Sequence, residues 1–295
     1  MRRKLVWLLA IACVTVAVAV PASISLLRSR PRAPLPLTER DTWDVCRVRG
    51  VRAGYFHTTI TQDTEDGSPV VKVEQVLHLD LKRLGQPIVQ EIRLTDTETP
   101  EGKLISSECE MRDVRLGRSF QRTTARVRGD RLEVEVATMG KRKTESLDWS
   151  AKNGGMLGDA TSLLRRPMKP GEHRVLTHFG ADNQMIETDL TAQQEEHTDL
   201  LGGRFRLLRI DQVDRLPKGQ SIRGTIWTDP SGEVVKLWND LMKMEAFRTP
   251  KEVALAETPL AKLDLGEDTL VRLNRPLPQG HDTRQARYLV RLKEG

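Results

Sequence analysis

Aromatic residues make up only 4% of this 295-residue chain, and there are three cysteines. Single-strand nucleic-acid binders stack bases on aromatic platforms, so the first shortage counts against that class. Duplex binders need a net basic stripe. The formal charge of +6 suggests one, but residues 1–40 carry seven Lys or Arg against one Glu, leaving 40 basic and 40 acidic residues in positions 41–295. The body is neutral, and no nucleic acid is expected as a partner. No phosphate-cradling glycine loop, nucleophile elbow or zinc spacing occurs. The histidines His57, His78, His173, His178, His197 and His281 form no ligand cluster, and His173 and His178, five apart in a strand, point to opposite faces. His281 with Asp282 reads as a solvated turn, and Glu195, Glu196 and His197 as a solvated strand end. No catalytic residue, cofactor or metal ligand is assigned. There is no repeat of fixed period.

The N-terminus carries Arg2, Arg3 and Lys4, then runs without a charge from Leu5 to Leu27. That length is enough for a helix to cross a hydrocarbon core of about 30 Å. Three export readings stay open: a signal anchor, a signal peptide cut after Ala19 or Ala22, or a lipid-modified Cys13. Each places the body outside the cytoplasm, membrane-anchored and facing the periplasm or exterior, or secreted if the leader is cleaved. The expected organisation is a leader at 1–27, a Pro- and Arg-rich extended linker at 28–42 that forms no core, and one antiparallel β domain at 43–295.

The body is dominated by a two-residue period. From Pro69 to Lys82, Val71, Val73, Leu77, Leu79 and Leu81 share one parity, and Lys72, Glu74, His78, Asp80 and Lys82 the other. A strand of roughly 40 Å requires long neighbours and a twisted or curved sheet. Strands are expected at 43–48, 51–62, 87–95, 103–114, 119–128, 131–137, 173–179, 185–191, 204–213, 221–228 and 233–238, with closing strands at 269–273 and 287–292. Their short connections specify an antiparallel meander. Between them, Met156, Leu157, Ala160, Leu163 and Leu164 fall at helical spacing over 155–166, and Pro167 stops the helix. It is placed to cover one face of the sheet or plug its open mouth. A capping box at Thr249-Pro-Lys-Glu predicts a second short helix, 250–257. The fold class is thus mainly β: a long-stranded curved antiparallel sheet, or half-barrel, with one or two short helices.

Cys46 and Cys109 fall in separate strands. In an exported protein they either pair, tying the first strand to a later one, or remain two buried thiols. Neither precedes a helix that would activate it. Any site is expected to be an apolar cavity between sheet and helix, taking a hydrophobic ligand or a partner's segment, unless that face is simply a filled core.

Several segments resemble the non-catalytic region that precedes the papain-like core of bacterial transglutaminase-like proteins. They are Trp43-Asp-Val45 with Gly50, Gly54-Tyr55-Phe56-His57, Pro167-Met-Lys-Pro170-Gly171-Glu172, Ile226-Trp227-Thr-Asp229 with Gly232-Glu-Val-Val-Lys236, and Thr249-Pro-Lys-Glu-Val-Ala254. Trp43, Gly50, Gly54, Tyr55, His57, Pro170, Gly171, Glu172, Trp227, Asp229 and Gly232 carry the likeness as structural residues. It implies an accessory module beside a catalytic domain, or the front part of a cysteine protease or acyltransferase whose Cys, His and Asp belong to a core following Gly295. The architecture also resembles the half-barrels of periplasmic lipoprotein carriers, which hold acyl chains. Fold likeness does not itself carry function.

Overall fold

The computed structural model describes residues 35–83 and 85–256, all within the second of the two units into which the chain divides, Pro34–Gly295. The expected leader and the closing strands at 269–273 and 287–292 lie outside the described residues.

The polypeptide forms two antiparallel meanders. The first comprises β1 (Arg40–Val48), β2 (Val51–Glu65), β3 (Ser68–Arg83), β4 (Gln86–Glu98), β5 (Leu104–Asp113), β6 (Arg118–Arg128), β7 (Arg131–Thr138) and β8 (Lys141–Asp148). After helix α1 (Gly158–Arg165) come β9 (His173–Phe179), β10 (Met185–Leu200), β11 (Gly203–Arg215), β12 (Ser221–Thr228), β13 (Val234–Asn239) and β14 (Met244–Thr249), then α2 (Lys251–Leu255). Pairing of β1 with β14 joins the meanders into one 14-stranded sheet, whose edges are β8 and β9.

Hairpin chemistry sets much of this register. Arg49 and Gly50, Asp66 and Gly67, and Met139 and Gly140 all have positive φ, the two-residue turn whose twist matches that of the strands. Sequence reasoning found the first two. It missed the third, with β8, because Met is an unusual left-handed residue and Lys141–Asp148 shows no alternation. The missed β14 buries Met244, Ala246 and Phe247 on both faces, which also erases a two-residue period. Gly54, at φ +155, lies where an added Cβ would sit 1.8 Å from the carbonyl oxygen of His78. Only glycine permits β2 and β3 to approach this closely.

The sheet curls. Leu157 packs with Ile60, Val71 and Val73 from β2 and β3, whereas Leu163 packs with Leu190, Ala192, Leu208, Ile210 and Ile226 from β10 to β12. One eight-residue helix touches both sets only if the sheet wraps around it. Phe179 of β9 likewise shares a cluster with Cys109, Ala125, Leu132 and Val134 of β5 to β7, so the two ends of the sheet come together. Between the edges, the segment after β8 runs along β9: Gly154 donates to Thr177 O and accepts from Phe179 N.

One open alternative is decided, for two separate thiols, and three expectations are corrected. Cys46 and Cys109 are both free and buried, since β2, β3 and β4 stand between β1 and β5. At ~4.8 Å per strand their backbones lie ~19 Å apart, against the ~7 Å limit for a disulfide. The linker ends earlier than expected: β1 begins at Arg40, and Leu37 is buried against Ile60, Val71 and Leu157. The first helix starts at Gly158, not 155, because the preceding glycines make the close contacts described below. At the second helix Pro250 holds the cap position without a side-chain bond; Thr249, the expected cap, ends β14 instead.

Candidate functional site

Helix α1 is fixed to the concave face by polar groups from the end of β4. Asp96, fully buried, accepts from the Ser107 hydroxyl and from the backbone N–H groups of Met156 at 3.1 Å and Leu157 at 2.7 Å. Leu157 is the N-cap of α1 and Met156 precedes it, so the carboxylate sits at the entry of the helix, favourably placed against its dipole. Gly155 makes room: a Cβ would lie 2.4 Å from the Asp96 carboxyl. Burial pushes Asp96 up to about 6, with the bonds from Ser107 and the two N–H groups opposing and the nearby Glu98 carboxylate reinforcing the shift.

One turn further, Glu98 accepts from the Thr161 hydroxyl at 3.2 Å and from the Arg165 guanidinium at 2.8 Å. Only 3% of the Glu98 side chain and 8% of the Arg165 side chain is exposed. Arg165 also donates to Pro100 O. At the opposite side of the helix, a Cβ on Gly232 would lie 2.2 Å from Leu163 O. The β12–β13 turn therefore rests directly on the last turn of α1.

Between α1 and the sheet lies a cavity of about 90 Å³. Ala160 and Leu164 of the helix, with Phe56, Ile60 and Leu237 of the sheet, supply its apolar lining; Arg40, Asp44, Glu233 and Arg248 supply its charged wall. Glu233 accepts from Arg40 through one carboxylate oxygen and from Arg248 through the other, and Arg248 also donates to Asp44 at 2.9 Å. Burial raises Asp44 above the ordinary carboxylate value, against the pull of Arg248. Burial tends to lower Arg248, but Asp44 and Glu233 more than offset it and hold its value up.

Two larger openings are of another kind. A cleft of about 690 Å³ over β5–β8 includes Glu108, Glu133 and Glu135, each ion-paired to an exposed Arg: Arg122, Arg128 and Arg142 respectively. Another of about 640 Å³ lies between β8 and the β9–β10 turn and is lined mainly by exposed charged and polar residues. Both are solvated polar surface. Among the described residues, no three His, Cys, Asp or Glu are grouped to hold a metal ion.

The residues singled out from sequence separate into two places. Trp43, Tyr55 and His57 come together on the outer face: the Trp43 and His57 rings stack at 3.9 Å, and Tyr55 stacks on His78 at 4.9 Å. Asp41 accepts from Trp43 Nε1 and bonds His57 Nε2, each at 2.9 Å. Trp227 lies on that face too, under Lys236 and bonded to Glu196, within β10 rather than at a strand end. Gly50 and Gly54 shape the β1–β2 turn and the β2–β3 approach, and the rest support α1. Gly171, at φ +80, forms the turn after Pro170 that brings Glu172 to Arg166 and Arg174. Asp229 ties the turn carrying Gly232 by accepting from the N–H groups of Ser231 and Glu233. His178 is buried on Thr188 while His173 faces Asp189 outside, the opposite orientations expected of a strand.

Sequence reasoning missed the polar seat: Asp96, Glu98, Arg165, Arg40, Asp44, Glu233 and Arg248. A signal existed in the parity. Asp96 and Glu98 continue the apolar parity of Ile92 and Leu94, and Arg40 and Asp44 share that of Cys46 and Val48, so all four fall on the buried face.

Searches against protein-family models and curated proteins gave no match. Among solved structures, the chain is similar to a beta-barrel-like protein of domain of unknown function DUF1849 from Brucella abortus. The TM-score is 0.50 at 11% identity, covering 73% of this chain and 97% of that one. The fold is beta-barrel-like. A DUF1089 family protein from Pseudomonas aeruginosa gives a TM-score of 0.33 at 10% identity, covering 60% of this chain and 87% of that one.

Proposed function

We propose that this chain is a non-catalytic binding module of the cell envelope that holds a single-chain amphiphile between α1 and the concave face of its sheet. The observation that carries this reading is the lining beneath α1, with apolar side chains on the floor and arginine-bearing groups on one wall. A cavity of about 90 Å³ is small beside the ~300–1,000 Å³ of ordinary ligand pockets. Occupation by a chain longer than a few methylenes therefore requires α1 to yield. Its attachment allows that on one side: polar contacts fix the Asp96 and Glu98 side, while the Leu163 side is held by non-directional apolar packing, on a helix too short to persist alone. The uncharged run from Leu5 to Leu27, preceded by Arg2, Arg3 and Lys4, supports a tethered envelope location.

The test is isothermal titration of 1-octanol into the full chain in nanodiscs, with empty nanodiscs as reference. Saturable one-to-one binding is expected, lost in an Ala160→Trp variant that fills the space under the helix while retaining the far-ultraviolet spectrum. No binding by the native chain, or equal binding by Ala160→Trp, would sink the reading.

A further inference from the structure

Glu233 lies in the tight turn between β12 and β13, far in sequence from the β1 residue it meets: Arg40 and Glu233 are 193 residues apart. Its two oxygens are divided between two guanidinium groups, which is how a bound carboxylate ligand would be held. The carboxylate stands over an apolar floor formed by Phe56, Ile60 and Leu237. Arg40 and Arg248 are matched by Asp44 and Glu233, and Lys236, which also lines the cavity, is paired with Glu245. We infer that Glu233 occupies an acid-headgroup subsite of this cavity, and that the preferred ligand is a single-chain amphiphile ending in a carboxylate, which takes the place of Glu233 on Arg40 and Arg248.

This rests on the amphiphile reading of the cavity and goes further by naming the headgroup. Exchange of one carboxylate for another leaves the charge of the wall unchanged, so no uncompensated charge is buried. The competitor is tethered, and a tethered group acts at an effective concentration of about millimolar or more. Native affinity for a carboxylate is therefore suppressed. The displacement also reaches the helix. Asp229 ties Glu233 and Ser231 into one turn, and Gly232 of that turn bears on Leu163 O, so moving Glu233 aside disturbs the contact that seats the last turn of α1. Ligand entry and helix release are one event.

The test compares octanoate, 1-octanol and octyl phosphate by isothermal titration on the full chain in nanodiscs. Glu233→Gln removes the competing charge while keeping its size. It is expected to raise octanoate affinity about tenfold or more, well beyond any change in the affinity for 1-octanol. Adding Arg40→Gln to that variant is expected to abolish the octanoate gain. Equal changes for octanoate and 1-octanol, no change for octanoate, or a gain that survives Arg40→Gln would overturn the headgroup assignment while leaving chain binding intact. A larger gain for octyl phosphate than for octanoate would overturn the carboxylate assignment. Failure of 1-octanol to bind would remove the amphiphile reading itself, and this inference with it.

Discussion

From the first meander, α1 receives the Asp96 carboxylate on its leading N–H groups and the Glu98–Arg165 ion pair. From the second it receives Leu190, Ala192, Leu208, Ile210 and Ile226 around Leu163. The first meander thus adds directional polar contacts to its apolar packing around Leu157, whereas the second holds the helix chiefly by apolar packing. Polar contacts fix position and orientation but tolerate no missing partner, because a lone buried charge is costly. The apolar side is non-directional and accommodates small shifts. A helix held in this way pivots more readily on its apolar side than on its polar one.

The largest effect should come from breaking the polar side. Arg165→Met leaves Glu98 buried without its cation, and a loss of about 3–5 kcal/mol in denaturant unfolding is expected. The double variant Glu98→Gln, Arg165→Met should recover most of it; no recovery would mean the pair acts only by packing. On the apolar side, Leu163→Ala should cost about 3 kcal/mol, and its cost should not vary between pH 4 and pH 7. A pH-dependent cost would erase the contrast between the two halves.

Asp96 sharpens the contrast further. Its folded value, about 6, lies above the ordinary 3.8, so its protonated form is the one folding favours. The stability this contributes is whole below about pH 4 and is lost as pH rises through about 6, a swing of about 3 kcal/mol. Asp96→Asn cannot titrate. The stability difference between native chain and variant should therefore move against the native chain across that interval, and a flat difference would refute the assignment. The smallest effect concerns Cys46 and Cys109, whose thiols burial pushes up to about 12 and about 11. Neither should react with a thiol-directed disulfide reagent at pH 8 until the protein is unfolded, and rapid labelling of either would contradict its burial.

The sheet was largely legible in the sequence because its strands alternate and its turns use glycine, as at Gly50, Gly67 and Gly129. Helix α1 was legible from Leu157, Leu163 and Leu164. Where alternation disappears, so did the reading. Strand β8 exposes six of its eight residues, and β14 buries both faces. The site was hidden for a different reason: Asp96, Glu98, Arg40 and Asp44 are charged residues at buried positions, and polarity outweighed parity. Each became interpretable only when folding brought its partner from another strand or from the helix. The motif residues gave positions without roles, since Trp43 and His57 proved to be an outer stack and Gly232 a helix contact.

Pairing of β1 with β14 has a kinetic consequence. The Asp44–Arg248 contact across it joins residues 204 apart, so closing that seam fixes nearly the whole described chain at once. Each meander is built from neighbouring hairpins and can form early, but contacts of such separation carry a large loop-closure entropy and slow folding. The wall made by Arg40, Asp44, Glu233 and Arg248 does not exist before that closure, so the pocket is complete only once this long-range seam has closed.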